Sequence, residues 1–299
     1  MSYQLELRQM RYFLTVAEEL HFRRAAERLY ISQPGLSKQI KEMETGLGLT
    51  LFYRDNRNVK LTAAGSYLKT ELAKHLNSLD QTLHHAKMIH KGLKGELKLG
   101  YVGSAMQQMI PQLMLRFKQH HGEILFHLYE MDNHVQLEHL LSNQLDMGFV
   151  RSERIPRGLH SVKVLNEPFC LVLPIDHPIS ADNFKEMSQL KNEPFILFDK
   201  AYSSSYYEQV MQIFDDDGFT PIVSHSTIHS NSIYKLVEHG FGVSIVPKSL
   251  KMEYLKGVKF IDLDKLPQRT TLRAAWNKNN FNPAMTELIQ VLGNLQFTE

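Results

Sequence analysis

The chain has 299 residues, 43% of them apolar, with 34 Lys/Arg against 32 Asp/Glu, enough for two or three separately cored domains. No stretch reaches the roughly 18 uninterrupted apolar residues of a membrane span, the start MSYQLELRQMRYF lacks the basic-then-apolar order of a secretory signal, and the single Cys170, inside the apolar run PFCLVLP, can close no internal disulfide. The charge is uneven: residues 1–98 hold 16 Lys/Arg against 10 Asp/Glu, net +6, and the remainder 18 against 22, net −4, so the first third is the part suited to a polyanion.

Met10, Phe13, Leu14, Ala17 and Leu20 recur at helical steps and predict a helix over 7–20. A second short helix follows at about 24–29, where Ala25, Ala26 and Leu29 allow close packing. The third opens with Ser32 as N-cap and Pro34 in the first turn, and Leu36, Ile40, Met43 and Leu47 form its inward face. Ser32, Gln33, Pro34, Ser37, Lys38 and Lys41 fall on the outward side near its N-terminus. Gln and Lys there can bond to base edges, and Ser, Lys and free amides can hold phosphates. A solvated amphipathic helix would show a similar face, so the segments around it decide.

After Gly46 and Gly48, LTLFYRDNRNVKLT contains two short β-rich runs about a turn, a wing-like hairpin carrying Arg54, Arg57 and Lys60. Three helices and a basic hairpin make a winged helix-turn-helix over 1–62. Residues 63–91 then run without proline, with Leu72, Leu76, Leu79, Leu83 and Ala86 alternating steps of four and three. That is the seam of a coiled coil and predicts a linker helix that dimerises with a second copy. His84 and His85 on this helix point to different faces and predict no metal site.

Residues 92–299 alternate strand and helix. GELKLGYVG, EILFHLYEM and LDMGFV read as strands of a first set with helices between them. CLVLP, PFILF, PIVSHS and GVSIVP form a second set, with a helix near 183–190, and TLRAAW with the last helix returns to the first. The pattern predicts parallel sheets covered by helices, in two α/β lobes like those of periplasmic binding proteins: lobe I at about 92–166 and 269–299, lobe II at about 167–268. Ligands of such sheets bind beyond the strand C-termini. Those positions hold Gly103 and Ser104, Asn133, Arg151, and Ser203, Ser204, Ser205 and Tyr206. Hydroxyls, amides and one arginine would suit a carboxylate, although Ser and Asn also cap helices everywhere and Glu153 is a nearby partner for Arg151.

The segment RQMRYFLTVAEELHFRRAAERLYISQPGLSKQIKEMETGLGLTLFYRDNRNVKLTAAG resembles the N-terminal signature of LysR-type transcriptional regulators over about sixty positions, through AAERL, SQP.LS.QI, LG..LF.R and LT.AG. Gly35 departs from the Pro, Ala or Ser common there, at up to about 1 kcal/mol of helix propensity. Arg23 stands where a Thr commonly precedes the second helix. The resemblance implies a DNA-binding transcriptional regulator, cytoplasmic and homotetrameric, that binds promoter DNA and a small organic effector. It implies neither cofactor nor metal nor membrane, with RNA polymerase a further candidate partner. GYVGSAMQQMIPQLMLRF and LDMGFVRSE are most similar to the aromatic-catabolism group that responds to muconate or chloroaromatic acids. There Ser104, Asn133 and Arg151 fall at effector-contacting positions, while AYSSSYYEQ differs. No HExxH, GxSxG or phosphate-binding glycine loop supports an enzyme. The DNA-binding head argues against a transport protein, and the two lobes against a DNA-bending one.

Overall fold

The computed structural model describes residues 4–54, 59–90, 95–121, 124–251 and 256–295. The chain forms two compact units, Met1–His84 and His85–Glu299, and no described helix is long and apolar enough to cross a membrane.

In the first unit α1 (Leu7–Glu19), α2 (Phe22–Arg28) and α3 (Gln33–Leu47) precede a hairpin of β1 (Phe52–Arg54) and β2 (Val59–Leu61), and α4 (Ala63–His90) follows. Phe13, Val16, Ala25, Ala26, Leu36, Ile40, Met43, Leu51, Phe52 and Leu72 are buried together as its core. Ser32 Oγ accepts from Gly35 N at 3.3 Å, and α3 stops at Gly48, whose φ of 67° is left-handed. The hairpin is tied back by one carboxylate: Glu44 Oε1 accepts from Leu51 N at 2.8 Å and Phe52 N at 3.1 Å. Thr62 caps α4 by accepting from Gly65 N at 2.9 Å. A Cβ on Gly65 would lie 2.2 Å from the Leu51 carbonyl oxygen, so only glycine lets α4 start here.

The apolar seam of α4 divides. Leu72 and Leu76 are buried, Leu72 within the three-helix core, whereas Leu79 and Leu83 are 38% and 51% exposed. The expectation that the whole seam faces a partner helix is corrected for its first half, which this chain covers itself. The side chains of His84 and His85 lie outside the described residues.

The second unit runs β3 (Glu96–Tyr101), α5 (Gly103–Gln107), α6 (Met109–His121), β4 (Leu125–Glu130), α7 (Asn133–Leu141), β5 (Met147–Val150), β6 (Leu159–Glu167) and β7 (Phe169–Pro174). It continues with β8 (Pro194–Phe198), α8 (Ser204–Asp216), β9 (Ile222–Thr227), α9 (Ser230–Glu238), β10 (Ser244–Pro247), β11 (Val258–Asp262), β12 (Thr270–Asn277) and α10 (Met285–Gly293). One lobe holds the sheet β4-β3-β5-β12-β6; the other holds β10-β7-β11 and β8-β9, joined by a Phe195–Val243 bridge.

Three expectations change. The sheets are mixed: β3 is parallel to β4 and β5, but β12 is antiparallel to β5 and β6, and β7 is antiparallel to β10 and β11. β6 and β11 were not anticipated. The helix expected at 183–190 is only a 3-10 turn, Met187–Leu190, after a loop in which Asn183 bonds to Ser180 N and Pro178 O. β6 leads through Pro168 straight into β7, so it carries the chain from one lobe to the other, and β12 brings it back. Strand ends from both lobes therefore converge at the crossing.

Candidate functional site

On the first unit, Ser32, Gln33, Pro34, Lys38 and Lys41 are exposed on α3 and Ser37 is half-buried. Gln33 Nε2 donates to Ser37 Oγ at 3.0 Å, one turn away, so the two present one prepositioned polar surface. Lys38 lies 3.8 Å from Glu42 in an exposed pair, too weak to withhold the ammonium from a phosphate. The α3 N-terminus thus offers amides, hydroxyls and charge together.

Two readings of this unit are corrected. Arg54 is not a free phosphate ligand: it pairs with Glu44 at 2.6 Å, and its guanidinium carbon sits 4.8 Å from the centroid of the Phe22 ring. Its geometry fastens β1 to α2 and α3. Arg23 does not displace the α2 cap, because α2 already starts at Phe22, and His21 Nδ1 accepts from Arg24 N at 3.3 Å. Arg23 instead pairs with Glu27 at 3.1 Å. Arg57 lies outside the described residues; Lys60 is exposed on β2.

In the second unit a cavity between the lobes is lined by Gly103, Ser104, Arg151, Tyr202, Ser203 and Tyr206, among others. Its volume is about 20 Å³, room for about one water. Arg151, only 4% exposed, is the hub of this wall. Its Nε donates to Ser104 Oγ at 3.0 Å, Nη1 to Thr270 Oγ1 at 3.1 Å, and Nη2 to Glu167 Oε1 in a very close ion pair. Glu167 also accepts from Ser249 N at 2.5 Å and Ser249 Oγ at 2.8 Å. The partner expected for Arg151 was Glu153; it is Glu167, and Glu153 lies instead 3.9 Å from Arg273. A guanidinium already neutralised inside the protein does not present its charge to a ligand.

The remaining candidates separate. Asn133 is spent on structure: it accepts from Arg151 N at 2.8 Å and donates to Arg151 O and Tyr202 O at 3.0 and 3.1 Å. Tyr206 is a core residue whose hydroxyl donates to Ile245 O, and burial pushes its phenol pKa up. Ser204 is exposed at the start of α8, and Ser205 Oγ accepts from Glu153 N at 3.3 Å; neither lines the cavity. Ser104 and Ser203 do line it.

Sequence reasoning missed Tyr202. Its hydroxyl accepts from Gly103 N at 3.1 Å across the cleft, and burial pushes its pKa to about 12, keeping the phenol neutral. With Ile228 it separates this cavity from a second one of about 370 Å³ lined by Glu130, Asp132, Asp199, His134 and His229. Its signal is its position just after the β8 C-terminus. Ser230, opening α9, was missed likewise.

Residues 7–66 match the model of the bacterial regulatory helix-turn-helix protein, lysR family, and residues 90–296 match the LysR substrate binding domain. This chain belongs to the LysR family of transcriptional regulators. It is 32% identical to the uncharacterised HTH-type transcriptional regulator YnfL of Escherichia coli, over 92% of this chain and 93% of that protein. It is 31% identical to the HTH-type transcriptional regulator AlsR of Bacillus subtilis, over 96% and 95%. The solved structure of full-length CbnR complexed with its target DNA covers 97% of this chain and 99% of its own, with a TM-score of 0.69; at 23% identity it shows the fold alone. The LysR-family chain is therefore a DNA-binding transcriptional regulator with an effector-binding domain, and its matched domains are those of regulators rather than enzymes. Among the described residues no group of three or more His, Cys, Asp or Glu is placed to hold a metal ion.

Proposed function

We propose that this regulator reads promoter DNA with the α3 N-terminus and answers to a small organic acid held between its lobes. Ser32, Gln33, Pro34, Ser37, Lys38 and Lys41 meet the DNA, together with Arg57, and the exposed second half of the α4 seam associates with another copy. The effector reading rests on one observation: Gly103 N–H donates across the cleft to the neutral Tyr202 oxygen, beside the hydroxyls of Ser104 and Ser203. A carboxylate oxygen can replace that phenol and accept from the Ser104 hydroxyl, whose oxygen already accepts from Arg151 Nε, while the Ser203 hydroxyl turns to it from a long bond of 3.4 Å to Arg151 O. With Arg151 neutralised, hydroxyl and amide donors hold the acid. A cavity of about 20 Å³ is far below the roughly 300 Å³ of a small-molecule site, so the effector enters only when Tyr202 moves and joins the two cavities.

Genomic fragments are selected with purified protein and titrated at two salt concentrations. Enrichment of a few dyad-containing fragments over a salt-dependent background is expected; indiscriminate binding overturns sequence-specific reading. Gln33→Ala relaxes base preference, whereas Lys38→Ala weakens every duplex and lowers the salt slope by about one. For the effector, mono- and dicarboxylic acids, muconate and chloroaromatic acids included, are compared with their amides by thermal shift. Acids raise the transition temperature and Ser104→Ala reduces the effect; equal shifts from acids and amides overturn the carboxylate assignment.

A further inference from the structure

We propose that Tyr30, in the turn between α2 and α3, is an additional DNA-contacting residue whose hydroxyl donates to a backbone phosphate. Three observations converge on it. Tyr30 has φ 56°, in the left-handed region where a side chain is strained and where glycine or asparagine would fit readily. It is 94% exposed, the most exposed large apolar or aromatic side chain described. Its hydroxyl has no hydrogen-bond partner, and its ring no aromatic neighbour, among the described residues.

The fold requires the backbone of this turn but not its side chain. Tyr30 N donates to Glu27 O at 3.2 Å and Ile31 N to Ala26 O at 3.0 Å, and these bonds close the turn whatever residue stands there. A large aromatic in left-handed geometry, giving nothing to the core, is a strained feature with no structural return, the situation that points to function. Its position supplies the function. Tyr30 comes two residues before the Ser32 cap, and the exposed face of Ser32, Gln33, Pro34 and Lys38 continues from it. When the start of α3 enters the major groove, the turn ahead of it passes beside the strand that borders the groove, within reach of a phosphate. Tyrosine hydroxyls are among the ordinary donors to phosphate.

The proposal rests on the reading that α3 binds DNA, and the test keeps the two apart. Full-length protein, Tyr30→Phe and Tyr30→Gly are titrated with a random-sequence duplex and with a fragment selected from the genome, each at several salt concentrations. Thermal transitions are recorded alongside. Both variants are expected to bind both duplexes roughly tenfold more weakly, the loss for one charge-assisted hydrogen bond. Their salt slope stays that of the parent, because a neutral phenol displaces no counterion. Tyr30→Gly is expected to melt no lower than the parent, since left-handed strain is relieved, which excludes misfolding as the cause. Parental affinity in Tyr30→Phe overturns the hydroxyl contact, and a loss confined to the selected fragment overturns the phosphate in favour of a base. Failure of the parent itself to bind duplex DNA overturns the reading of α3, irrespective of Tyr30.

Discussion

Gly35 and Arg151 are the two residues whose sequence reading changed most once neighbours were visible. A Cβ on Gly35 would lie 3.0 Å from Ser32 Oγ, the atom that caps α3. Gly35→Ala should therefore gain up to about 1 kcal/mol of helix propensity and lose a comparable part of a cap worth about 1 kcal/mol. The expected thermal transition is unchanged; a gain of the full propensity value would mean that the cap hydroxyl moves without cost. At Arg151 the sequence offered Glu153 as a partner because it is two residues away, whereas Glu167 arrives from the end of β6. Glu167→Gln leaves a buried guanidinium without its counter-charge, and breaking such a pair costs about 3–5 kcal/mol. Denaturant unfolding of the parent and the variant measures it, and a loss under about 1 kcal/mol would contradict a dry, paired site.

Among elements, α4 changes role along its length. Leu72→Ala removes a side chain from the three-helix core and should cost about 2–4 kcal/mol. Leu83→Glu touches no core and should leave the unfolding midpoint of dilute protein nearly unchanged while shifting sedimentation toward smaller species. Equal assembly in both proteins would remove the exposed seam from the interface. β3 and β5 show a different dependence. Asp146, just before β5, accepts from Lys98 N at 2.8 Å, yet burial raises its carboxyl pKa because desolvation outweighs the donors around it. A carboxyl with a raised native pKa binds more protons folded than unfolded. Stability is then greatest below the ordinary carboxylate value and falls as pH rises through the raised one. The transition temperature of Asp146→Asn, relative to the parent, should rise between pH 4 and pH 7; a constant gap would show that the carboxyl does not titrate there.

At the scale of the whole molecule, two units with separate cores predict calorimetry that departs from a single two-state transition. Leu72→Ala should lower the event that belongs to Met1–His84 and spare the other; one indivisible transition would contradict independent cores. Much of this organisation was legible in residues alone. The helices of the first unit, the Ser32 cap, the hairpin and the first set of strands follow from local signals: periodicity, caps and turn residues act within a few positions and survive in the linear order. The LT.AG pattern has its reason in the close approach of Gly65 to the Leu51 carbonyl. What the order could not supply was pairing across distance. β12 pairs with both β5 and β6 from over a hundred residues away, and it runs antiparallel to them, which makes the sheet mixed. That pairing brings Glu167 to Arg151, and the packing of the two lobes brings Tyr202 to Gly103, turning an expected ligand charge into an internal ion pair and an aromatic side chain into the wall of the cleft. Sequence by itself determined which residues were available to DNA and to a ligand. Only the tertiary structure decided which were already taken, because a buried charge or amide is satisfied by whatever group the fold sets beside it, however far away in the chain.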